Sequence, residues 1–284
     1  VALGVAAALA SQFGTREGER IVIGAKSFSE QYVLARLIGQ RLEDSGFQVE
    51  YRDGLGSAIA HSAAATGRVD VYVDYTGTIW ANQMKREDNL PREAMYEEIV
   101  RWESENTGMR VLGKLGFENA YGLAVTRETA SAKGLNSIAD LARIAPQMTV
   151  GGDPEFFERP EWIAVRDTYG LRFGEKRTFS PTFMYNALRS GEADVIGAYT
   201  SDGRIEADKL AVLTDPEGAF PNYDAVLVLS PDAAQNKALV SSLQPLVGAI
   251  DVSAMRAANY SVDRETNKLS FDEAARLLAE RAGL

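Results

Sequence analysis

Short apolar runs alternate with amphipathic stretches along most of the chain. The run at positions 21–24 is rich in β-branched residues and ends at a glycine, which is typical of a buried strand. Apolar residues at helical spacing follow between positions 31 and 42, and Ser29 is placed to cap the predicted helix. The same alternation continues, and it predicts a mostly parallel α/β sheet covered by helices.

A second cycle of strands and helices is predicted after Asn119. The strands of the first cycle are expected at 47–51, 69–73 and 109–115, and its helices at 57–66 and 93–107. The strands of the second cycle are expected at 121–126, 148–151, 195–198, 211–213 and 225–229. Its helices are expected at 138–144, 161–169 and 183–190, with a helical remainder after the last strand.

The two cycles predict two α/β units joined near residues 119–122 and 220–225. We expect residues 21–120 together with 221–284 to form lobe 1, and residues 121–220 to form lobe 2. Ligands of α/β sheets bind at the carboxyl ends of strands, and pockets are common between domains. The ligand site is therefore expected in an interlobe cleft.

Composition and charge narrow the functional classes. The 284 residues are 45% hydrophobic and 25% charged, as in ordinary globular proteins. The formal net charge of −10 repels phosphate backbones, so nucleic acid is not expected as a partner. The sequence contains no cysteine and a single histidine, His61, which leaves few groups for metal binding or nucleophilic catalysis. We expect no metal and no cofactor.

The first ten residues are small and apolar and end in Ala8-Leu9-Ala10. This pattern is typical of the apolar core and cleavage site of a secretory signal, although a buried N-terminal helix or strand is the alternative. Residues 1–20 are expected to be a signal-peptide remnant and leader. The protein is then expected in the periplasm, without the lipid-modified cysteine that would anchor it. No later window reaches the roughly 18 apolar residues of a membrane helix.

Polar and aromatic residues stand directly after the predicted strands. Four of them are tyrosines, namely Tyr75, Tyr121, Tyr199 and Tyr223. A cluster of aromatic faces suits a permanent cation without N–H donors, because hydrogen bonds cannot hold such a group. Lys26, Thr78 and Arg159 could donate to a carboxylate at the other end of the ligand. Spacing alone leaves open the alternative that each tyrosine caps the core with its hydroxyl in water.

Four short motifs occur in a defined order along the chain. They are GAKSFSEQ at 24–31, DYTGT at 74–78, GAYTSD at 197–202 and PNYDA at 221–225. Together they resemble the substrate-binding proteins of osmoprotectant ABC importers, which bind glycine betaine, carnitine or choline. These are proteins of the ProX, OpuBC and OpuCC type, including the branch like OsmF and YehZ. The resemblance extends from about residue 21 to the C-terminus.

The resemblance implies a two-lobed, type II periplasmic-binding-protein fold with two crossover segments, whose lobes close on the ligand. It implies that the four tyrosines form an aromatic cage for a quaternary ammonium group, and that Lys26, Thr78 and Arg159 bind a carboxylate. Asn119 falls where some members carry an acidic residue lining the cage and others carry asparagine. We expect a monomeric binding protein without catalytic activity, which delivers its ligand to a permease in the inner membrane.

Two rival functions remain open at this point. The same fold could bind an amino acid or another small zwitterion, with Arg159 holding its carboxylate. An enzyme on a two-lobed α/β fold would need an acid–base pair, for which Glu30, Asp70 and Asp74 are candidates. Strand ends and helix caps are the favoured interpretation of these carboxylates, and a packed or surface position is the favoured one for His61.

Overall fold

The computed structural model describes residues 18–88, 90–153 and 156–284, so residues 1–17 of the predicted signal-peptide remnant and leader, residues 1–20, lie outside the described residues. The strands, in chain order, are β1 (Arg20–Lys26), β2 (Gln48–Leu55), β3 (Val71–Tyr75), β4 (Arg110–Glu118), β5 (Tyr121–Thr126), β6 (Thr149–Gly152), β7 (Glu175–Thr178), β8 (Val195–Tyr199), β9 (Leu210–Val212) and β10 (Asp224–Leu229).

The helices differ widely in length. In chain order they are α1 (Ser29–Asp44), α2 (Ser57–Ala65), α3 (Thr76–Thr78), α4 (Arg92–Asn106), α5 (Arg127–Lys133), α6 (Ile138–Ala142), α7 (Pro160–Tyr169), α8 (Pro181–Ser190), α9 (Arg204–Ala207), α10 (Lys237–Leu243), α11 (Val252–Asp263) and α12 (Phe271–Ala282). A π-helical turn, Ile79–Gln83, continues α3, and short 3₁₀ turns occur at Ala145–Gln147, Phe156–Glu158, Ala233–Gln235 and Gln244–Leu246. Within the described ranges no helix combines the length and apolar character that crossing a bilayer requires.

The chain divides into two compact units. Unit 1 consists of Val1–Gly116, Ala225–Ile250 and Leu269–Leu284, and unit 2 consists of Phe117–Asp224 and Asp251–Lys268. The sequence pattern assigned all of 221–284 to lobe 1, whereas residues 251–268 belong with unit 2. The contacts of α11 within unit 2 explain the difference. Arg256 Nε donates to the Thr200 carbonyl at 2.8 Å, and Asn259 Nδ2 donates to the Ser201 carbonyl at 2.9 Å.

Unit 1 is built on a five-stranded sheet with the order β2-β1-β3-β10-β4. β1 runs parallel to β2 and β3, whereas β10 runs antiparallel to β3. Buried side chains pack against this sheet, among them Val22, Tyr72, Trp80 and Val226. Because β1 and β3 are adjacent and parallel, their carboxyl ends bring Lys26 and Tyr75 to the same edge of the sheet.

Unit 2 contains a second five-stranded sheet with the order β7-β6-β8-β5-β9. β6 runs parallel to β7 and β8, and β5 runs antiparallel to β8 and β9. Its core includes Leu123, Val150, Phe156, Trp162 and Val195. The antiparallel register sets Tyr121, at the start of β5, opposite Tyr199, at the end of β8.

The sheets are therefore mixed, and the prediction of mostly parallel sheets is wrong for β5 and β10. A crossover helix makes successive strands of one sheet parallel. β5 and β10 are each reached when the chain passes from one sheet to the other, because β4 and β5 lie in different sheets, as do β9 and β10, so no crossover helix within a sheet sets their direction.

The predicted cap of the first long helix is also wrong. α1 begins at Ser29 itself, and Phe28 occupies the N-cap position with an extended backbone, at φ −149° and ψ 156°. The side chain of Phe28 has no oxygen with which to cap the helix, and α1 has no side-chain cap hydrogen bond. The chain therefore enters the helix one residue earlier than a capping serine would require.

Candidate ligand-binding site

Two of the predicted cage tyrosines lie side by side in unit 2. Tyr121 and Tyr199 are cross-strand partners, so their side chains share one face of the sheet. Their ring centroids are 4.8 Å apart at an interplanar angle of 38°, and the two hydroxyl oxygens are 2.9 Å apart. Tyr121 is buried and Tyr199 is half-buried. The sheet register therefore holds two aromatic rings together at one strand end.

Arg159 lies against this pair. It occupies the N-cap position of α7, and its Cζ atom is 5.1 Å from the centroid of the Tyr121 ring. Its Nε and Nη2 atoms donate to the Glu161 carboxylate at 3.4 and 3.5 Å, which is long for N–H···O bonds. The guanidinium thus occupies an aromatic face, which is the position a ligand cation would also favour.

Tyr223 and Asn119 join the same group through Glu161 and the backbone. The Tyr223 hydroxyl donates to Glu161 Oε1 at 2.8 Å, and the Asn119 N–H donates to the Tyr223 carbonyl at 3.1 Å. Glu161 lies in the first turn of α7 and is 7% exposed. Unit 2 therefore brings together all five of its predicted site residues. Glu161, which the sequence pattern did not single out, links Tyr223 to Arg159.

Unit 1 carries the remaining predicted tyrosine beside Lys26. The Lys26 Nζ atom is 5.1 Å from the centroid of the Tyr75 ring. The Tyr75 hydroxyl donates to Glu30 Oε1 at 2.6 Å and accepts a hydrogen bond from Gln31 Nε2 at 3.0 Å. Both partners come from the first turn of α1, so this helix fixes the hydroxyl end of the Tyr75 ring.

The ammonium group of Lys26 forms a buried ion pair with Asp74. The Asp74 side chain is fully buried and also accepts from the Tyr72 hydroxyl at 3.1 Å and from the Tyr75 N–H at 2.8 Å. A buried charge requires such a partner, because desolvation alone would be costly. The charge of Lys26 is thus balanced within unit 1, and its role towards a ligand carboxylate stays a prediction.

Phe28 is a further aromatic residue of unit 1 that the sequence pattern did not single out. Its ring stacks on Tyr75, with the centroids 6.2 Å apart at 29°, and 38% of the residue is exposed. The only sequence signal was its position within the motif at 24–31. Thr78, the third predicted residue of the carboxylate set, ends the short helix α3 and is half-buried.

The ionisation of the unit 2 residues follows from their surroundings. Burial, and next the hydrogen bond with Tyr199, raise the pKa of the Tyr121 phenol well above its ordinary value. Burial and the Glu161 carboxylate raise the pKa of Tyr223 in the same way. Burial alone would lower the pKa of Arg159, but Tyr121 and Glu161 more than offset this and the pKa is raised. At neutral pH the site therefore offers neutral aromatic rings beside a charged guanidinium.

Residues considered for other chemistry have structural partners. The buried His61 side chain lies with Nε2 2.9 Å from Glu103 Oε1, in agreement with a packed histidine. Asp70 Oδ2 accepts from the Val22 N–H at 2.7 Å, so this carboxylate links neighbouring parts of the unit 1 sheet.

Comparison with known proteins agrees with the motifs. Residues 19–278 match the family OpuAC, described as the substrate-binding domain of ABC-type glycine betaine transport systems. The glycine-betaine-binding protein of Pseudomonas aeruginosa is 31% identical over 265 residues, which cover 89% of this chain and 85% of that protein.

A second relative is the ergothioneine transport permease/ergothioneine binding protein EgtU of Helicobacter pylori. It is 29% identical over 272 residues, which cover 94% of this chain, and this chain spans 48% of the length of that protein. The crystal structure of a glycine betaine/carnitine/choline ABC transporter protein superposes with a TM-score of 0.87 at 26% identity, covering 93% of this chain and 98% of that chain.

The similarity extends over nearly the whole chain and both sheets, and it confirms the predicted two-lobed binding-protein fold. The family consists of substrate-binding components of transporters, so the prediction of a non-enzymatic protein is confirmed as well. This chain belongs to the family of substrate-binding domains of ABC-type glycine betaine transport systems.

Proposed function

We propose that this protein captures a small quaternary-ammonium compound, such as glycine betaine or choline, and delivers it to the permease of an ABC importer. The single observation that carries this assignment is the Tyr121–Tyr199 pair with the Arg159 guanidinium 5.1 Å from the Tyr121 ring centroid. Aromatic faces and a guanidinium are together the two groups that a trimethylammonium carboxylate needs.

The aromatic faces serve the cationic end of the ligand. A trimethylammonium group has no N–H donor, so it is held by ring faces and by exclusion of water. Each ring contributes about 0.5–2 kcal/mol, with the larger values in desolvated sites. Tyr121, Tyr199 and Tyr223 of unit 2 and Tyr75 of unit 1 are assigned to this cage, with Asn119 beside Tyr223.

Arg159 serves the carboxylate end. A guanidinium binds a carboxylate through two parallel N–H···O bonds, and such charge-assisted bonds are stronger than neutral ones. The bonds from Arg159 to Glu161 are 3.4 and 3.5 Å long, so a ligand carboxylate competes against weak interactions. Thr78 and Lys26 are assigned to the same end of the ligand.

The transport role is proposed from the family to which the chain belongs. A ligand that binds one conformation more tightly than another shifts the population towards that conformation. The permease would then select that ligand-bound form. We further propose that the protein is a periplasmic monomer and that residues 1–20 are a signal-peptide remnant and leader.

An amino acid is the second candidate ligand, and Glu161 is the observation that favours it. A buried carboxylate beside Tyr223 could accept hydrogen bonds from a primary ammonium group, while Arg159 binds the α-carboxylate. A quaternary ammonium cannot donate such bonds, so the two candidates differ in the N–H donors of the ligand.

A thermal-shift screen separates the two candidates. Choline, glycine betaine, carnitine, proline, glycine and glutamine are added singly to the full chain at equal concentration. A ligand at 100 times its Kd stabilises the folded state by about 2.7 kcal/mol, which raises Tm by roughly 5–10 °C. We expect the quaternary compounds alone to produce such a shift. Shifts confined to amino acids with N–H donors would refute the assignment.

A further inference from the structure

Two of the four cage tyrosines, one in each unit, donate their hydroxyl to a buried glutamate. Tyr75 donates to Glu30 Oε1 at 2.6 Å, and Tyr223 donates to Glu161 Oε1 at 2.8 Å. Glu30 is 3% exposed and Glu161 is 7% exposed. Neither glutamate was assigned to the cage from the sequence, and the same pairing occurs once in each unit.

A carboxylate at the hydroxyl end of a tyrosine changes what its ring offers to a cation. The O–H···O⁻ bond is charge-assisted, and it polarises the O–H bond of a phenol that stays protonated, which makes the ring face more negative. The attraction of a cation to that face grows with the negative charge of the face. A buried carboxylate also attracts the cation directly, because screening by water is weaker there.

Two other side chains beside Tyr75 and Tyr223 add little negative charge. Asn119 is neutral and contributes no charge at the position next to Tyr223. The carboxylate of Asp74 is paired with Lys26 and therefore adds little net charge beside Tyr75. The bonds from Arg159 to Glu161 are long, at 3.4 and 3.5 Å, and Arg159 is the residue assigned to the ligand carboxylate.

We propose that Glu30 and Glu161 are specificity-determining residues, which act through Tyr75 and Tyr223 to make the cage prefer a permanent cation over a neutral group of the same shape. This inference rests on the proposed function. The glutamates are not required to touch the ligand, so their effect is expected on selectivity between a cationic and a neutral head group.

Isosteric ligand pairs measure that selectivity. Choline is compared with 3,3-dimethylbutan-1-ol, and glycine betaine with 3,3-dimethylbutanoate, in which carbon replaces the ammonium nitrogen. Taking the ratio of the two affinities in each pair removes the contribution of ligand shape. In the second pair it also removes the contribution of Arg159, because both ligands carry the carboxylate. For Glu161→Gln and for Glu30→Gln we expect this ratio to fall roughly tenfold, with the affinity for the uncharged 3,3-dimethylbutan-1-ol little changed.

A matched control comes from a tyrosine outside the cage. The Tyr169 hydroxyl donates to the Asp215 carboxylate in unit 2, and neither residue is assigned to the site. Asp215→Asn removes the same kind of bond and is expected to leave the ratio unchanged. Tyr223→Phe keeps the ring and removes only the O–H donor, so it tests the same pair if a glutamine variant does not fold. It is expected to lower the ratio about threefold.

The outcomes separate the inference from the proposed function. If the wild-type protein prefers the quaternary-ammonium ligands and the Glu30, Glu161 and Tyr223 variants that fold keep the full preference, the inference is overturned and the function stands. If the wild-type protein binds neither member of either pair, both are overturned. A ratio that falls in the glutamine variants and not in Asp215→Asn supports the inference.

Discussion

Replacement of both Tyr121 and Tyr199 by leucine is expected to weaken the binding of glycine betaine or choline about 100-fold. The two rings form one aromatic surface, with centroids 4.8 Å apart, and leucine keeps apolar volume without a π face. Leucine is preferred to alanine because Tyr121 packs in the core against Phe156, at 5.4 Å between centroids, and a cavity there would lower stability. Isothermal titration calorimetry gives the affinities.

The matched control for this prediction is the double variant Tyr121→Phe with Tyr199→Phe. It removes the contact between the two hydroxyl groups and keeps both ring faces. Its affinity is expected to stay within about threefold of the wild-type value. Full affinity in a folded leucine variant would show that these rings do not hold the cation.

Replacement of Arg159 by alanine is expected to weaken glycine betaine binding about 30-fold while changing choline binding less than about threefold. Glycine betaine carries the carboxylate that the guanidinium is assigned to bind, whereas choline carries a hydroxyl group. The loss of affinity is therefore predicted to differ between the two ligands, whereas a general loss of protein stability would affect both ligands equally. Calorimetric titration of both ligands into the same preparation measures the difference.

Arg166→Ala is the control for Arg159→Ala. Arg166 lies on the same helix, α7, and pairs with its exposed neighbour Asp167 rather than with a site residue. Both affinities are expected to be unchanged in this variant. Equal losses for glycine betaine and choline in Arg159→Ala would contradict the assignment of Arg159 to the carboxylate.

The sequence predicts most of the fold because burial leaves a strong pattern. β3 and β10 are buried along their whole length, and both follow from runs of apolar residues. The strand β7 was not predicted, since all four residues of Glu175–Thr178 are exposed. It forms by pairing in parallel with β6 at the edge of the sheet. The helix α5 was missed for the same reason, because none of residues 127–133 is buried.

The tyrosines of the site could be predicted, but their partners could not. Tyr121 and Tyr199 could be predicted because strand ends and motif positions are visible in the sequence. The antiparallel register of β5 and β8 then places the two residues opposite each other. The bond from Tyr223 to Glu161 joins residues 62 positions apart, and the bond from Tyr75 to Glu30 joins residues 45 positions apart. Neither pairing leaves a local pattern, so both require the folded sheets.

The N-methylation series of glycine tests the central claim most directly. Glycine, sarcosine, N,N-dimethylglycine and glycine betaine keep the same carboxylate and lose one N–H donor at each step. An aromatic cage favours the methylated cation, which sheds water more readily and fits against ring faces. Calorimetry is predicted to give a Kd that falls at every step, by at least about 100-fold from glycine to glycine betaine. Tightest binding by glycine or sarcosine would contradict a site for quaternary ammonium.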